Sequence, residues 1–200
     1  MLRFGDTGKL DQIDATNINV ATIETAGIDT SARYRFELDD RVGGGTLDTG
    51  LAWTYLDKLE KVDFPGASVT QLRGQLNSDG RLGAGFKNKA TLDLTYGRGA
   101  LTVNWRLNYL SSIKDTLDPD NAPPDEFNNV PSYVYHNIQA RYGFGEQQQL
   151  KVFVGADNLF DKKPPLLPGG TASDITGTET AADTYDPFGR FIYGGVEVHF

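Results

Sequence analysis

In the stretch ALTVNWRLNYLSS, Ala100–Ser112, apolar and polar positions alternate with a period of two. Leu101, Val103, Trp105, Leu107 and Tyr109 share one face, and Thr102, Asn104, Arg106 and Asn108 share the other. Successive side chains of an extended chain point to opposite sides, so this period predicts a strand with one apolar and one polar face. The preceding stretch KATLDLTYGRG repeats the pattern, with Ala90, Leu92, Leu94 and Tyr96 opposed to Thr91, Asp93 and Thr95. Gly97-Arg98-Gly99 supplies residues able to take the positive φ of a tight hairpin turn. The same reading predicts strands near Ala21–Phe36, Thr46–Leu56, Tyr133–Tyr142, Gln149–Asp157 and Arg190–Phe200, seven in all. No stretch sustains a helical period.

The connections alternate in length. Short turns are expected around Asp39–Gly45, Gly97–Gly99 and Gly143–Gln147, and long Pro/Gly/Asp-rich loops over roughly Glu60–Phe86, Asp115–Pro131 and Asn158–Gly189. A meander of long strands, with short turns at one end and long loops at the other, describes an antiparallel up-and-down transmembrane β-barrel. Alternation alone also fits a soluble sandwich, whose apolar faces meet in a core. Aromatic placement favours the barrel: Tyr96, Tyr109, Tyr142, Trp53 and Tyr55 fall near strand ends on apolar faces, as interfacial girdles require.

Composition narrows the classes. The chain has 200 residues, 38% of them apolar, and no apolar run long enough for a transmembrane helix. Barrel strands leave mean hydropathy low, so this excludes helices and not barrels. Met1 is not followed by the apolar stretch of a signal peptide, so an exported protein would need an additional front end. With no cysteine, disulfides and thiolate metal sites are ruled out. The net charge is -8, with acids scattered and no run of Lys and Arg, which disfavours nucleic acid as a partner.

The chain closes on Tyr193–Phe200, YGGVEVHF. Ile192, Gly194, Val196, Val198 and Phe200 share one face; Phe191, Tyr193, Gly195, Glu197 and His199 share the other. Tyr193, Gly195, Val198 and Phe200 resemble the C-terminal recognition signal of bacterial outer-membrane barrels, which implies reading by the barrel-assembly machinery through strand addition. Upstream, VFVGADNLFDKKPP (Val152–Pro165) resembles the penultimate strand of TonB-dependent receptors, with NLFD leading into a long extracellular loop. TYDPFGRFIYGGVEVHF is similar to their last strand, FKNKATLDLTYGRGALTVNWRLNYLSS to an earlier hairpin, and IETAGIDTSARYRF to their glycine–hydrophobe–acid strand through Gly27, Ile28 and Asp29.

The resemblance covers nearly the whole chain, and it implies a fold and a function. The fold is all-β: about seven C-terminal strands of a 22-strand barrel, over residues 1–200, without plug, signal peptide or TonB box. The function is TonB-dependent active transport of a scarce nutrient (siderophore-bound iron, cobalamin or an oligosaccharide) across the bacterial outer membrane. Implied partners are outer-membrane lipid, the missing N-terminal strands and plug, TonB through that plug, and the nutrient ligand. The alternatives are a passive or structural outer-membrane barrel without TonB coupling, and a secreted all-β binding module.

Candidate chemistry is sparse. His136 and His199 form no metal-spaced pair, no Ser–His–acid set stands out, and no cofactor is implied, so an enzyme is not expected. The acidic loop DTLDPDNAPPDEFNN lacks the spacing of a calcium loop and reads as solvated. Phe127, Tyr133, Tyr185, Phe188 and Arg190 are candidate ligand contacts in the long loops, since aromatics stack on flat ligands and Arg binds anions bidentately. Taken singly, each of the rings reads better as loop packing or girdle than as a ligand contact. Arg106, Asp93, Lys151, Asp157 and Glu197 are expected to face the lumen.

Overall fold

A computed structural model describes residues 2–3, 10–12, 21–76, 84–120, 122–145, 149–167 and 180–199. Seven long strands dominate: β1 (Thr22–Glu37), β2 (Thr46–Val62), β3 (Asn88–Arg98), β4 (Leu101–Leu110), β5 (Tyr133–Phe144), β6 (Leu150–Asp157) and β7 (Phe191–Val198). Each pairs antiparallel with the next, so spatial order equals chain order, with the short segment Thr70–Gln71 added beside β2. The edge strands β1 and β7 are not paired with each other, and the barrel is not closed in this segment. Two small ribbons lie apart from this sheet, Leu2–Arg3 with Leu10–Gln12 and Ile113–Lys114 with Asn129–Val130.

The register turns the sequence period into two continuous faces. Leu51, Leu92, Leu107 and His136 stand side by side across β2 to β5, as do Thr49, Leu94, Trp105 and Ile138. On the other side run Gly50, Asp93, Arg106 and Asn137. No second layer covers the apolar face among the described residues: Ile28 is 58% exposed, Ile192 67% and Val196 62%. A soluble sandwich would bury these positions against a facing sheet. This single-layered sheet leaves them open, and a two-sheet sandwich is not the architecture of the described residues.

Three connections are short: residues 38–45, 99–100 and 145–149. The hairpin turn falls one step later than the sequence suggests, at Gly99–Ala100, because Gly97 and Arg98 are still paired with Thr102 and Leu101. Gly99 there has φ 56°, which a residue without Cβ adopts freely. The other three connections, 63–87, 111–132 and 158–190, leave the opposite end of the sheet. The second of them holds a single helical turn, Asp125–Asn128.

Among the described residues, most of the buried apolar side chains lie outside the sheet body, Ala156 of β6 being an exception. Leu76, Phe86, Ile113, Val130, Leu167, Ala181 and Tyr185 come from the long connections and pack with Tyr133, at the head of β5. The loops therefore build their own core over one rim.

β2 continues to Val62, beyond the expected Leu56, although alternation fades there. Backbone pairing with β1 and with Thr70–Gln71 carries this extension, and Lys58 there bonds Glu24 of β1 at 2.5 Å and Glu60 of its own strand at 3.1 Å. The register slips between Ala26 and Gly27, opposite Lys58 and Leu56, which leaves Asp57 as the extra residue of a bulge. A Cβ on Gly27 would stand 2.5 Å from the Tyr55 carbonyl oxygen, so the bulge requires glycine there.

Candidate functional site

The polar face is lined by side chains that satisfy each other across strands. Arg35 Nε lies 2.6 Å from Asp48 Oδ1, and Arg106 Nε lies 2.6 Å from Asp93 Oδ1. Thr54 donates to Asp29 at 2.6 Å, and Asn104 donates to Thr95 at 2.8 Å. A hollow of about 580 Å³ opens here, bounded by Arg33, Arg35, Asp48, Asp93 and Thr95. Two cations of β1 stand on one side of it and carboxylates of β2 and β3 on the other, so the wall offers hydrogen-bonding groups without a field of one sign. Ion pairs this exposed contribute little stability. Arg106, Asp93, Lys151, Asp157 and Glu197 all take the polar side, as the alternation predicts.

Between β6 and β7 two aromatic rings lie over two glycines, reciprocally. Phe153 faces Gly195 in the register and Tyr193 faces Gly155. A Cβ on Gly195 would sit 2.5 Å from Phe153 Cζ, and one on Gly155 would run into the Tyr193 ring. The missing side chains create the recesses that the rings fill. Arg141 then stacks on Phe153 at 5.6 Å, and Gln139 donates to the Tyr193 hydroxyl at 3.3 Å. Tyr193 and Gly195 of the C-terminal signature thus sit on the polar face, and Val198 sits on the apolar face, 51% exposed. Phe200 lies outside the described residues. Phe153 and Gly155, the other half of this device, carry no signal in sequence until the register is known.

NLFD, Asn158–Asp161, forms a corner. Asn158 and Asp161 take φ of 49° and 53°, a region their short polar side chains tolerate. The Asn158 side chain accepts from Lys162 N at 2.8 Å and donates to Lys162 O at 2.9 Å, while its own N–H reaches Asn137 at 3.0 Å. Asp161 pairs with Lys163 at 2.9 Å and accepts from Arg190 N at 3.0 Å. Lys163 first, and the Arg190 N–H second, hold its carboxyl below the usual range. The corner ties the exit of β6 to the entry of β7. Phe160 projects outward, 70% exposed, with its ring edge-on to His136, which stacks on Trp105 at 5.3 Å.

Above the wall, Tyr133 and Tyr185 meet edge to face at 5.1 Å, with Phe86 at 6.2 Å from Tyr185 and Tyr135 at 5.0 Å from Tyr133. Tyr133 donates its hydroxyl to Lys162 O at 2.9 Å. The Tyr185 hydroxyl is buried with no hydrogen-bond partner among the described residues, and burial pushes its pKa well above the usual phenol range. Of the five loop candidates, the structure brings together Tyr133 and Tyr185 as core. Arg190 lies against the NLFD corner, its guanidinium 3.5 Å from Leu159 O. Phe188 is 91% exposed, and Phe127 is half-buried on the helical turn. No three metal-binding side chains converge among the described residues.

An exposed apolar face ringed with aromatics, a self-satisfied polar face and loops gathered at one rim define a segment of transmembrane β-barrel wall. Residues 3–159 match the family model described as TonB dependent receptor-like, beta-barrel, and the chain belongs to that family of outer-membrane barrels. Two crystal structures of the ferric enterobactin receptor of Pseudomonas aeruginosa, both mutant forms, superpose with a TM-score of 0.55 at 17% identity. Each match covers 88% of this chain and 22% of the receptor, so the chain spans about a fifth of the length of those structures. No curated protein matches the sequence.

Proposed function

We propose that this segment supplies the C-terminal wall of an outer-membrane receptor that takes up a scarce nutrient with energy relayed by TonB. The ligand is translocated and not chemically converted. Plug, TonB contact and the remaining strands come from outside these residues, and the two free edges are where neighbouring strands join. The barrel-assembly machinery reads Tyr193, Gly195, Val198 and Phe200 before the wall enters lipid. The observation that carries the reading is the pairing of an uncovered apolar face with a polar wall under a gathered loop core, within a chain of this family.

The cargo belongs to the class of iron–siderophore complexes, cobalamin or oligosaccharides, and the matched enterobactin receptor favours the first. Phe188 and Arg190 are exposed, which supports them as loop contacts that need no opening of the core; Tyr133 and Tyr185 reach a ligand only if the loop core opens. The test is uptake of labelled iron–siderophore complexes, cobalamin and oligosaccharides by cells carrying the intact protein, with and without TonB. Uptake that requires both protein and TonB is expected. Uptake indifferent to TonB would instead support a passive barrel.

A further inference from the structure

On the apolar side of the sheet, at its loop rim, lies a second hollow of about 700 Å³. Tyr109, Asn88 and Ser111, which continue the outward-facing series of β3 and β4, form part of its lining, and Arg73, Lys87 and Lys114 bring three cations to it. None of its lining residues is acidic. Arg73 is held in place: its Nε donates to Leu56 O at 2.8 Å, its Nη2 to the Tyr55 hydroxyl at 3.1 Å, and its guanidinium stacks on the Tyr55 ring at 5.7 Å. Lys87 and Lys114 are exposed, and neither forms an ion pair with a described residue. The nearby carboxylates Asp118 and Asp125 line a separate hollow that Lys114 also borders.

We propose that this hollow binds the phosphate-bearing headgroup of an outer-leaflet lipid. Cations at a membrane rim attract anionic headgroups, and a guanidinium fixed by its neighbours presents its remaining N–H groups to phosphate with little loss of freedom. Position decides between a lipid and a free anion. The hollow opens on the face where Trp53, 39% exposed, donates to Asn88 at 3.1 Å, so a headgroup seated here has its acyl chains directly over Trp53, Leu92 and Leu107. The inference rests on the membrane reading above.

Native mass spectrometry of the intact protein, extracted in mild detergent, tests it. The wild type should retain a phosphate-bearing lipid in preference to a phosphate-free one, and millimolar inorganic phosphate should not displace it. Lys87→Gln/Lys114→Gln should weaken retention about 30-fold, taking each cation at its usual worth beside an anionic membrane. Arg41→Gln/Arg98→Gln, an equal charge loss at the short-turn end, should leave retention unchanged. Equal retention of both lipids by the wild type, an unaffected lysine variant, or displacement by inorganic phosphate would each overturn the proposal. The wild-type lipid preference stands as a test even if a variant misfolds. A protein absent from the outer-membrane fraction would instead sink the membrane reading itself.

Discussion

Leu92 sits in the middle of the apolar face, and replacing it with arginine separates lipid from lumen. Along β3 it lies four residues from Tyr96 and four from Asn88, which accepts the Trp53 indole N–H at 3.1 Å. Four residues of strand are about 13 Å, reduced to roughly 10 Å of depth by a strand tilt of about 40°. Leu92 is thus near the midplane, where an arginine facing lipid costs about 2–4 kcal/mol, or roughly 30- to 900-fold in the folding equilibrium. Thr91, its neighbour, faces the polar wall beside Asn108, so Thr91→Arg should cost less than about 1 kcal/mol. Leu92→Trp separates lipid from a packed core: hydrocarbon accommodates the larger ring, whereas a close-packed interior loses about 1–3 kcal/mol to overpacking. The assay is denaturant-controlled folding of the intact protein into phospholipid vesicles. Equal costs for Leu92→Arg and Thr91→Arg, or a large cost for Leu92→Trp, would refute the assignment of faces.

Three further outcomes follow from the same geometry. Gly195→Ala should displace the Phe153 ring at a cost of about 0.5–1.5 kcal/mol, and the same change made on a Phe153→Ala background should cost almost nothing more, as a double-mutant cycle will show. Asp161 has a depressed folded-state pKa, so its support of the NLFD corner should be complete above the ordinary carboxylate range and lost as pH falls through its lower folded value. Protease sensitivity of the 158–190 connection should rise in that acid window, and Asp161→Asn should be sensitive throughout and flat with pH. Tyr185→Phe removes a buried hydroxyl that has no partner among the described residues, and should leave stability unchanged or raise it by up to about 1 kcal/mol; a thermal shift downward would reveal an acceptor supplied by another part of the protein.

The two faces of the sheet could be read from the chain because a period of two in residues such as Leu101–Leu110 is a local property. All seven strands appear where the alternation puts them, to within a few residues except at the end of β2. There the pairing of β2 with β1 and with Thr70–Gln71 carries the strand on past the point where its alternation fades, and nothing in the one-dimensional pattern announces such pairs. The ring-over-glycine device was half visible: Tyr193 and Gly195 belong to a terminal signature, but Phe153 and Gly155 acquire meaning only through the register. The loop core of Leu76, Phe86, Tyr133 and Tyr185 was not visible, since loops carry no period and these residues lie far apart in sequence. The same holds for Arg73, Lys87 and Lys114. The chain has no cationic run, yet the fold gathers three cations over one hollow.

The chain contains no cysteine, so single cysteines can be placed at will along β4 in the intact protein. Reconstituted in lipid and labelled one site at a time with an environment-sensitive dye, positions 101, 103, 105, 107 and 109 should be quenched by brominated acyl chains. Positions 102, 104, 106 and 108 should be quenched by water-soluble iodide instead. Loss of that alternation, or its reversal, would contradict the claim that the apolar face of this sheet touches hydrocarbon.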